Sequence, residues 1–258
     1  MAQEQVVEGL VLRRWSAQEA DKWVSLLTRE QGKLRLRVRG AHKPGSRMGM
    51  LSEPLNVLRT RVIQGRHQRL MVQPQMVTAF LKVRSDLERL SAALALVELL
   101  DRWLPEEHGD SQVYEVALSA LHALESGWDV RLVMGWTLWR LLALSGSCPA
   151  LDTCARCQRT ESESGWLLNP TEGQLLCTSC GGSHRQLPRL SQTQLEQLRL
   201  WLHTSLGELS PQQGDGAHDS NTVQKLLTLA VRYTEHYLED SPRWLTFLER
   251  LNALPAAE

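Results

Sequence analysis

The sequence predicts a multi-domain α+β protein, in which an N-terminal five-stranded barrel precedes an α-helical bundle with an inserted four-cysteine segment. Three observations support this prediction. Short apolar segments separated by turn residues fill the chain up to residue 84, helical apolar spacing begins at Ser85, and two Cys-x-x-Cys pairs interrupt the helical part. The predicted domains are residues 1–84 for the barrel, 85–147 and 184–258 for the helical domain, and 148–183 for the insert.

Five segments before residue 84 have the alternation and composition of β-strands. They cover residues 6–14, 23–28, 33–39, 55–63 and 70–80. The segment Arg29–Gly32 predicts a hairpin-like turn, and the basic loop of residues 41–47 contains Pro44 and Gly45, which do not continue a strand. A five-stranded, partly open barrel with a basic face is typical of an OB-fold, although an SH3-like barrel also fits the pattern.

The third of these strands alternates strictly between cations and aliphatic residues, as Lys33-Leu34-Arg35-Leu36-Arg37-Val38-Arg39. An extended backbone places the four cations on one face and the three aliphatic residues on the other. Successive cations are then about 6.6 Å apart, which is close to the spacing of phosphates along an extended nucleic-acid strand. The alternatives at this point are a face that binds a polyanion and a solvated edge strand.

Charge is distributed unevenly along the chain, although the formal net charge is zero. Residues 1–84 contain 16 Lys and Arg against 6 Asp and Glu, a net charge of +10, and the remainder carries −10. This asymmetry indicates nucleic-acid or membrane-surface binding, and we favour nucleic acid over a solvated face. The predicted phosphate contacts are Lys33, Arg35, Arg37, Arg39, Lys43 and Arg47, extended by Arg13, Arg14, Arg59, Arg61, Arg66 and Arg69.

Aromatic residues that could stack on bases are few in the N-terminal segment. Trp15, Trp23 and Phe80 are the candidates, and each fits a core position at least as well. The sequence therefore predicts binding that is mostly electrostatic and nearly independent of base sequence.

Helical spacing begins at Ser85-Asp86-Leu87-Glu88, which matches a capping box and predicts a helix that continues to Pro105. The expected N-caps of three later helices are Ser191, Asn221 and Ser241. In all, five further helices are predicted, over residues 111–125, 130–144, 192–206, 222–239 and 242–251.

The spacing Cys154-x2-Cys157-x19-Cys177-x2-Cys180 predicts one structural zinc ion bound by four thiolates. A thioredoxin-like redox pair would lie in a βαβ unit, and a zinc deaminase would need an H-x-E motif, so neither fits this sequence. Disulfides or unused free thiols are the alternatives that remain. Cys148 lies outside the pattern and is expected to be a small buried residue, while His184 is a less favoured substitute ligand.

The sequence offers little support for catalysis. No phosphate-binding loop, dinucleotide-binding fingerprint or nucleophile elbow occurs in the chain, so we expect a protein that is not an enzyme. The N-terminus lacks the features of a signal peptide, and no window approaches 18 uncharged apolar residues, so a cytoplasmic location is expected.

Several segments are similar to those of one known family. They are Glu8–Arg13, Glu19–Lys22, Leu26–Leu34, Arg39–Arg47, Glu53–Leu55, Asp86–Leu90, Glu98–Asp101 and the cysteine pairs. On these segments the chain resembles the RecO family of bacterial recombinational DNA repair proteins. Two departures are Arg35 and Arg37, which stand where the family more often has small or apolar residues. Some relatives also lack the cysteines.

The resemblance implies an OB-fold, a helical domain and a zinc finger. It also implies a nucleoid-associated cytoplasmic protein that binds single- and double-stranded DNA, anneals complementary strands and, with RecR, helps load RecA onto DNA coated by single-stranded-DNA-binding protein. The acidic tail of that coating protein would bind the helical domain near a cation such as Arg131, Arg140 or Arg232. The alternatives are a zinc-ribbon RNA-binding adaptor in transcription or translation and a small-molecule enzyme within the helical bundle.

Overall fold

The computed structural model describes residues 4–17, 20–66, 68–182, 186–209 and 219–237. The chain forms two compact units, Met1–Gly127 and Trp128–Glu258. The first unit therefore contains the predicted barrel together with the helices that directly follow it. The division into three domains, with its first boundary after residue 84, stays a prediction.

The first unit consists of five strands and four helices among its described residues. The strands are β1 (Glu4–Ser16), β2 (Lys22–Thr28), β3 (Gly32–Val38), β4 (Val57–Gln64) and β5 (Arg69–Thr78). The helices are α1 (Arg47–Leu51), which lies between β3 and β4, and α2 (Leu81–Ser85), α3 (Leu87–Trp103) and α4 (Ser111–Glu125), which follow the last strand.

The five strands close into a barrel in the order β1-β2-β3-β5-β4. Strand β1 pairs with β2 and with β4, and it contains an irregularity between Val11 and Arg13 of the kind that bends a strand around a small barrel. The contact between β3 and β5 is parallel and short, with Leu36 opposite Arg69 and Arg37 opposite Leu70. This closed five-stranded barrel confirms the predicted OB-fold.

The barrel core is built by the aliphatic residues that alternate along its strands. Leu34, Leu36 and Val38 of β3 are all buried, and they pack in the same cluster as residues from the other four strands. Leu51 of α1 belongs to this cluster, so α1 packs against the barrel interior. Because inward and outward residues alternate, this packing fixes the outward face of β3.

The turn between β2 and β3 lies directly against the segment that follows α3. Gly32 has φ +67°, and a Cβ atom there would be 2.0 Å from the carbonyl oxygen of His108. A Cβ atom on Gly109 would be 2.1 Å from the carbonyl oxygen of Glu30. Two glycines at the crossing allow the two backbones to approach each other and fix the start of β3 in the unit.

The start of the first long helix differs from the prediction, because the chain forms an additional short helix before it. Ser85 ends α2 and its hydroxyl donates to the carbonyl oxygen of Lys82, so it does not cap α3. Asp86 is the N-cap instead, and its carboxylate accepts a hydrogen bond from the amide of Arg89. Before α2, Phe80 has φ +48° and is buried, which terminates the β-region abruptly.

The second unit contains a central helix, a small sheet and two further long helices among its described residues. Its elements are α5 (Val130–Leu144), β6 (Trp166–Asn169), β7 (Gln174–Cys177), α6 (Thr178–Gly181), β8 (Arg189–Leu190), α7 (Gln192–His203), a 3₁₀ turn (Leu206–Leu209) and α8 (Ser220–Tyr237). The indole N–H of Trp139 in α5 donates to the carbonyl oxygen of Leu226 at 2.9 Å, which ties α5 to α8. Nearly all of α5 is buried, as expected for the centre of a bundle.

The helix ends of this unit correct some predicted boundaries. Ser191 caps α7 as predicted, with a complete capping box, but α7 ends at His203. Helix α8 begins at Ser220, and Asp219 accepts from the amide of Thr222, so Asn221 lies inside the helix and is not its cap. The predicted helix over residues 242–251 and its cap Ser241 lie outside the described residues. In the part of the chain that the structure describes, no helix is both long and apolar enough to cross a membrane.

Candidate nucleic-acid interface and metal centre

The outward face of β3 carries the cations that the sequence pattern predicts. Leu34, Leu36 and Val38 fill the core, so Lys33, Arg35 and Arg37 project from the opposite face. The strand ends at Val38, and Arg39 lies exposed in the following turn rather than inside the strand. The four residues are therefore close along the chain, but their surroundings differ strongly.

Lys33 is held by contacts within its own unit. Its ammonium group donates to the carbonyl oxygen of Asp101 near the end of α3 at 2.5 Å. Its own carbonyl oxygen accepts from the amide of Glu107 at 2.9 Å. Lys33 therefore connects the beginning of β3 to the end of α3, and its ammonium group is already engaged in a hydrogen bond within the unit.

Arg37 is engaged with Asp21. The guanidinium Nε donates to the carboxylate at 2.7 Å, and the second carboxylate oxygen accepts from the amide of Gly40 at 2.8 Å. The Gly40 amide, followed by Arg37, lowers the pKa of Asp21 below its ordinary value, although partial burial opposes this shift. The carboxylate thus neutralises one β3 cation and also fixes the turn after the strand.

Arg35 lies between two tryptophans on the outer surface of the barrel. Its guanidinium carbon is 4.6 Å from the centre of the Trp23 ring and 5.2 Å from that of Trp15. Arg13 approaches the same Trp15 ring at 5.5 Å. These distances are those of cation–π contacts, and Trp15 and Trp23 are both half-buried rather than core residues. The sequence pattern gave no preference for exposing these two tryptophans.

Two adjacent cavities of about 390 and 550 Å³ run along this surface. Trp23, Arg35 and Gln68 line both of them. Arg69 and Glu107 lie in the first cavity, where they form an ion pair at 2.8 Å. Because they share three lining residues, the cavities together form a shallow groove across β2, β3 and the turn before β5.

Most of the other predicted contact residues on the strands have acidic partners. Arg14 pairs with Glu53 at 2.5 Å, near α1. On the β1–β4 side of the barrel, Arg59 and Arg61 pair with acidic residues of β1. The pairs are Arg13–Asp101, Arg14–Glu53, Arg37–Asp21, Arg59–Glu8, Arg61–Glu4 and Arg69–Glu107.

Besides Lys33, whose ammonium group bonds the backbone carbonyl of Asp101, five predicted contact residues make no ion pair with any other described residue, and all five are exposed. They are Arg35, Arg39, Lys43, Arg47 and Arg66. Arg39, Lys43 and Arg47 follow one another in the exposed segment after β3, and Arg66 is exposed in the turn between β4 and β5. The structure thus brings Arg35 together with Trp15 and Trp23, whereas Arg59 and Arg61 lie on another ladder of the barrel.

The four predicted metal ligands meet at one point in the second unit. The sulfur atoms of Cys154, Cys157, Cys177 and Cys180 all lie within 4.8 Å of one another. The sulfurs of Cys157 and Cys177 are 3.7 Å apart. Zinc–sulfur bonds of about 2.3 Å in a tetrahedron place sulfurs about 3.8 Å apart, so the geometry fits one metal ion.

Hydrogen bonds in the site favour the thiolate forms of Cys154 and Cys157. Burial disfavours the charged form of Cys154, but the amides of Cys157, Cys177 and Arg156 outweigh it and bring its pKa to about 6. Arg159 donates to the Cys157 sulfur at 3.2 Å. Hydrogen bonds to the neighbouring sulfurs raise the pKa of Cys180 to about 12. This is expected when four thiols are close together, because a thiolate next to other thiolates is disfavoured unless a positive charge compensates it. These residues could hold a metal ion that would supply that charge.

A short hairpin presents the second cysteine pair. Strands β6 and β7 pair from Trp166–Cys177 to Asn169–Gln174, as the sequence predicts. A Cβ atom on Gly181 would be 2.6 Å from the Leu167 side chain, so the residue after the last cysteine must be small to pack on the hairpin. Cys148 is not part of the cluster, and burial raises its pKa to about 12. His184 lies outside the described residues.

The fold and the outer surface of the barrel together indicate a class of protein. An OB barrel whose outer surface combines arginines and tryptophans has features typical of barrels that bind oligonucleotides. The family description "Recombination protein O N terminal" matches residues 1–80, and "Recombination protein O C terminal" matches residues 84–245. The chain therefore belongs to the RecO family, which confirms the resemblance seen in the sequence.

Individual relatives agree with this assignment. The DNA repair protein RecO of Roseiflexus sp. (strain RS-1) is 31% identical over 242 residues, which cover 94% of this chain and 84% of the relative. That of Desulforamulus reducens is 28% identical over 249 residues, with 95% and 94% covered. That of Exiguobacterium sibiricum is 35% identical over 181 residues, with 69% and 70% covered.

Proposed function

We propose that this protein binds DNA and anneals complementary strands in recombinational repair, without catalysing a reaction. One observation carries the proposal: an OB barrel of the RecO family has a groove lined by Arg35, and a run of exposed cations follows β3 in the chain. The family match over both halves favours DNA repair over the RNA-binding adaptor that the sequence left open.

The physical basis of annealing is charge neutralisation. Two DNA strands repel each other through their phosphates, and cations that neutralise phosphates on each strand lower that barrier. Arg35, Arg39, Lys43 and Arg47 would be the main phosphate contacts, because their charges have no acidic partner among the described residues. The cations that are already paired would contribute less, since a phosphate would have to replace a carboxylate.

The test compares two double variants with equal changes of charge. R35Q/R39Q removes two cations from the main face, and R59Q/R61Q removes two paired cations from the β1–β4 ladder. We expect R35Q/R39Q to lose about tenfold in affinity for single-stranded DNA at 100 mM salt and to anneal oligonucleotides more slowly, without nucleotide triphosphate in the assay. The control should change by less than threefold. Equal losses in the two variants would contradict the assignment of the main face.

We further propose that the four-cysteine site holds one zinc ion. A tetrahedral four-thiolate donor set is typical of structural zinc, and none of its positions is left open for a substrate. Zinc would neutralise the thiolates and hold the hairpin β6–β7 against the segment of residues 154–157. It would support the fold of the second unit rather than take part in annealing.

The proposed partners are RecR and the acidic tail of single-stranded-DNA-binding protein, with which the protein would help load RecA. Among the three cations considered for the tail, Arg140 donates to the carbonyl oxygen of Leu202 and lies 5.9 Å from the Trp136 ring centre. Arg232 is exposed on α8 and is our preferred contact for the tail.

A further inference from the structure

The arginines and tryptophans on the barrel surface form a continuous ladder across three strands. The register aligns Trp15, Trp23 and Arg37 in one row and places Arg13 and Arg35 in the next. Side chains that are opposite each other in such rows share one face of the sheet. The ladder therefore runs from Arg13 to Trp15, Arg35 and Trp23, with each cation 4.6 to 5.5 Å from a neighbouring ring centre.

Packing of the barrel does not explain this arrangement. Phe80 is buried, with 2% of its surface exposed, whereas Trp15 and Trp23 are half-buried and line the 550 Å³ cavity together with Arg35. A tryptophan that only fills the core would be covered by other apolar residues. Here the neighbours are arginines and the polar side chain of Gln68, and the cavity is open to solvent.

We propose that this ladder is a stacking site for unpaired bases, so that the protein distinguishes single-stranded DNA from duplex DNA. The inference rests on the proposed function and adds a second kind of contact to the phosphate contacts. Indole rings and the planar guanidinium group both stack on bases. In a duplex the base faces are covered by neighbouring pairs, so only an unpaired base can reach the ladder.

The position of the ladder relative to the exposed cations supports this inference. Arg35 belongs to the ladder, and Arg39 lies four residues further along the chain in the exposed turn after β3. When the bases of a DNA strand stack on Trp15 and Trp23, the cations Arg35 and Arg39 could therefore contact its phosphates. The site takes any base, because stacking requires only a π-face.

The experiment measures binding of the full chain to three fluorescent ligands at one salt concentration: a thymidine oligonucleotide, an abasic oligonucleotide of the same length, and a duplex. The abasic strand has the same phosphates but nothing to stack. We expect the wild-type protein to prefer the thymidine strand over the abasic strand by about tenfold or more. W15A/W23A should lose this preference and keep its affinity for the abasic strand and the duplex.

Two further variants keep the proposal falsifiable if W15A/W23A does not fold. W15F/W23F retains aromatic rings and should retain most of the preference, and R35K keeps the charge but loses the planar group, so its preference should fall while its salt dependence stays. W128A, a half-buried tryptophan elsewhere in the chain, should bind as the wild type does. Equal wild-type affinity for thymidine and abasic strands would overturn the stacking site but not DNA binding. Absence of binding to all three ligands would overturn the proposed function itself.

Discussion

Asp21 controls how much of the cationic face of β3 is available to a ligand. Its carboxylate holds Arg37 at 2.7 Å and the amide of Gly40 at 2.8 Å, and only 15% of its side-chain surface is exposed. The same residue therefore stabilises the turn after β3 and masks a cation on the face proposed to bind DNA. Stability and binding are opposed at this position.

We predict that D21N has opposite effects on folding and on DNA binding. The asparagine still accepts from Gly40 but releases Arg37, so the free energy of unfolding at pH 7 should fall by about 1 kcal/mol. Affinity for single-stranded DNA should rise, and its log–log salt slope should become steeper by about 0.7. Urea denaturation and fluorescence anisotropy measure the two effects.

The lowered pKa of Asp21 predicts that the stability of the wild type and of D21N depends differently on pH. A carboxylate with a lowered pKa in the folded state contributes stability above its unfolded value of 3.8, and this contribution disappears as the pH falls through the folded value. The wild type should therefore lose more stability than D21N between pH 5 and pH 3. D152N changes an exposed carboxylate and should match the wild type in all three measurements. Weaker DNA binding by D21N would contradict our assignment.

At the residue scale, the sequence predicts which side chains of β3 point outward but not which remain free. Alternation is a local property, so Arg35 and Arg37 are equivalent in the pattern. Their difference comes from distant residues: Asp21 pairs with Arg37, and Trp15 and Trp23 flank Arg35. No single-sequence pattern specifies such partners, because they depend on how the strands are aligned.

At the scale of elements, the hairpin β6–β7 and the cysteine cluster form one structural module. The module contains two fully buried cysteines, Cys154 and Cys177, beside the buried apolar residues of the hairpin. A structural metal ion can supply folding free energy in such a segment, because the unfolded chain has no preformed site.

We predict that C154S loses the metal ion and destabilises the second unit. Elemental analysis should find about one zinc per wild-type chain and much less in the variant, and the melting temperature should fall by several degrees. C148A changes the one cysteine that the cluster excludes, and it should keep its zinc. A wild-type protein without zinc, or a C154S variant that retains it, would show that the cluster is not a zinc site.

Element types were largely predictable, whereas element ends were decided by competition between neighbouring groups. The five strands, the helices over residues 111–125 and 130–144, and the β6–β7 hairpin all follow from periodicity and turn residues. Helix α2 was missed because it is a single turn whose amides at Lys82 and Val83 are capped by Glu125, a residue far along the chain. Once α2 forms, Ser85 becomes its last residue and cannot cap α3.

At the scale of the whole molecule, the charge asymmetry of the sequence is reduced by folding. The segment up to residue 84 has a net charge of +10, but the first unit, which ends at Gly127, has 18 Lys and Arg against 15 Asp and Glu. The difference arises because α3, α4 and the segment between them are acidic. Three of their acidic residues, Asp101, Glu107 and Glu115, pair with cations of the barrel.

We predict that the salt dependence of binding reflects the unpaired cations rather than the full predicted set. Twelve phosphate contacts would give a log–log slope of about −8 for single-stranded DNA, whereas the five exposed cations without acidic partners would give about −3.5. Titration of affinity against salt between 50 and 300 mM measures the slope. A value near −8 would mean that DNA displaces the carboxylates from their arginines.

The pairing of β1 with β4 has a consequence for the order of events during synthesis. Residues 4–10 pair with residues 57–63, so β1 has only one of its two neighbours until more than 40 further residues have left the ribosome. Hairpin β2–β3 can form earlier, because its contacts are local. The nascent barrel thus begins as an open three-stranded sheet. Strand β4 then covers the exposed edge of β1, and the barrel closes only when β5 pairs with both β3 and β4.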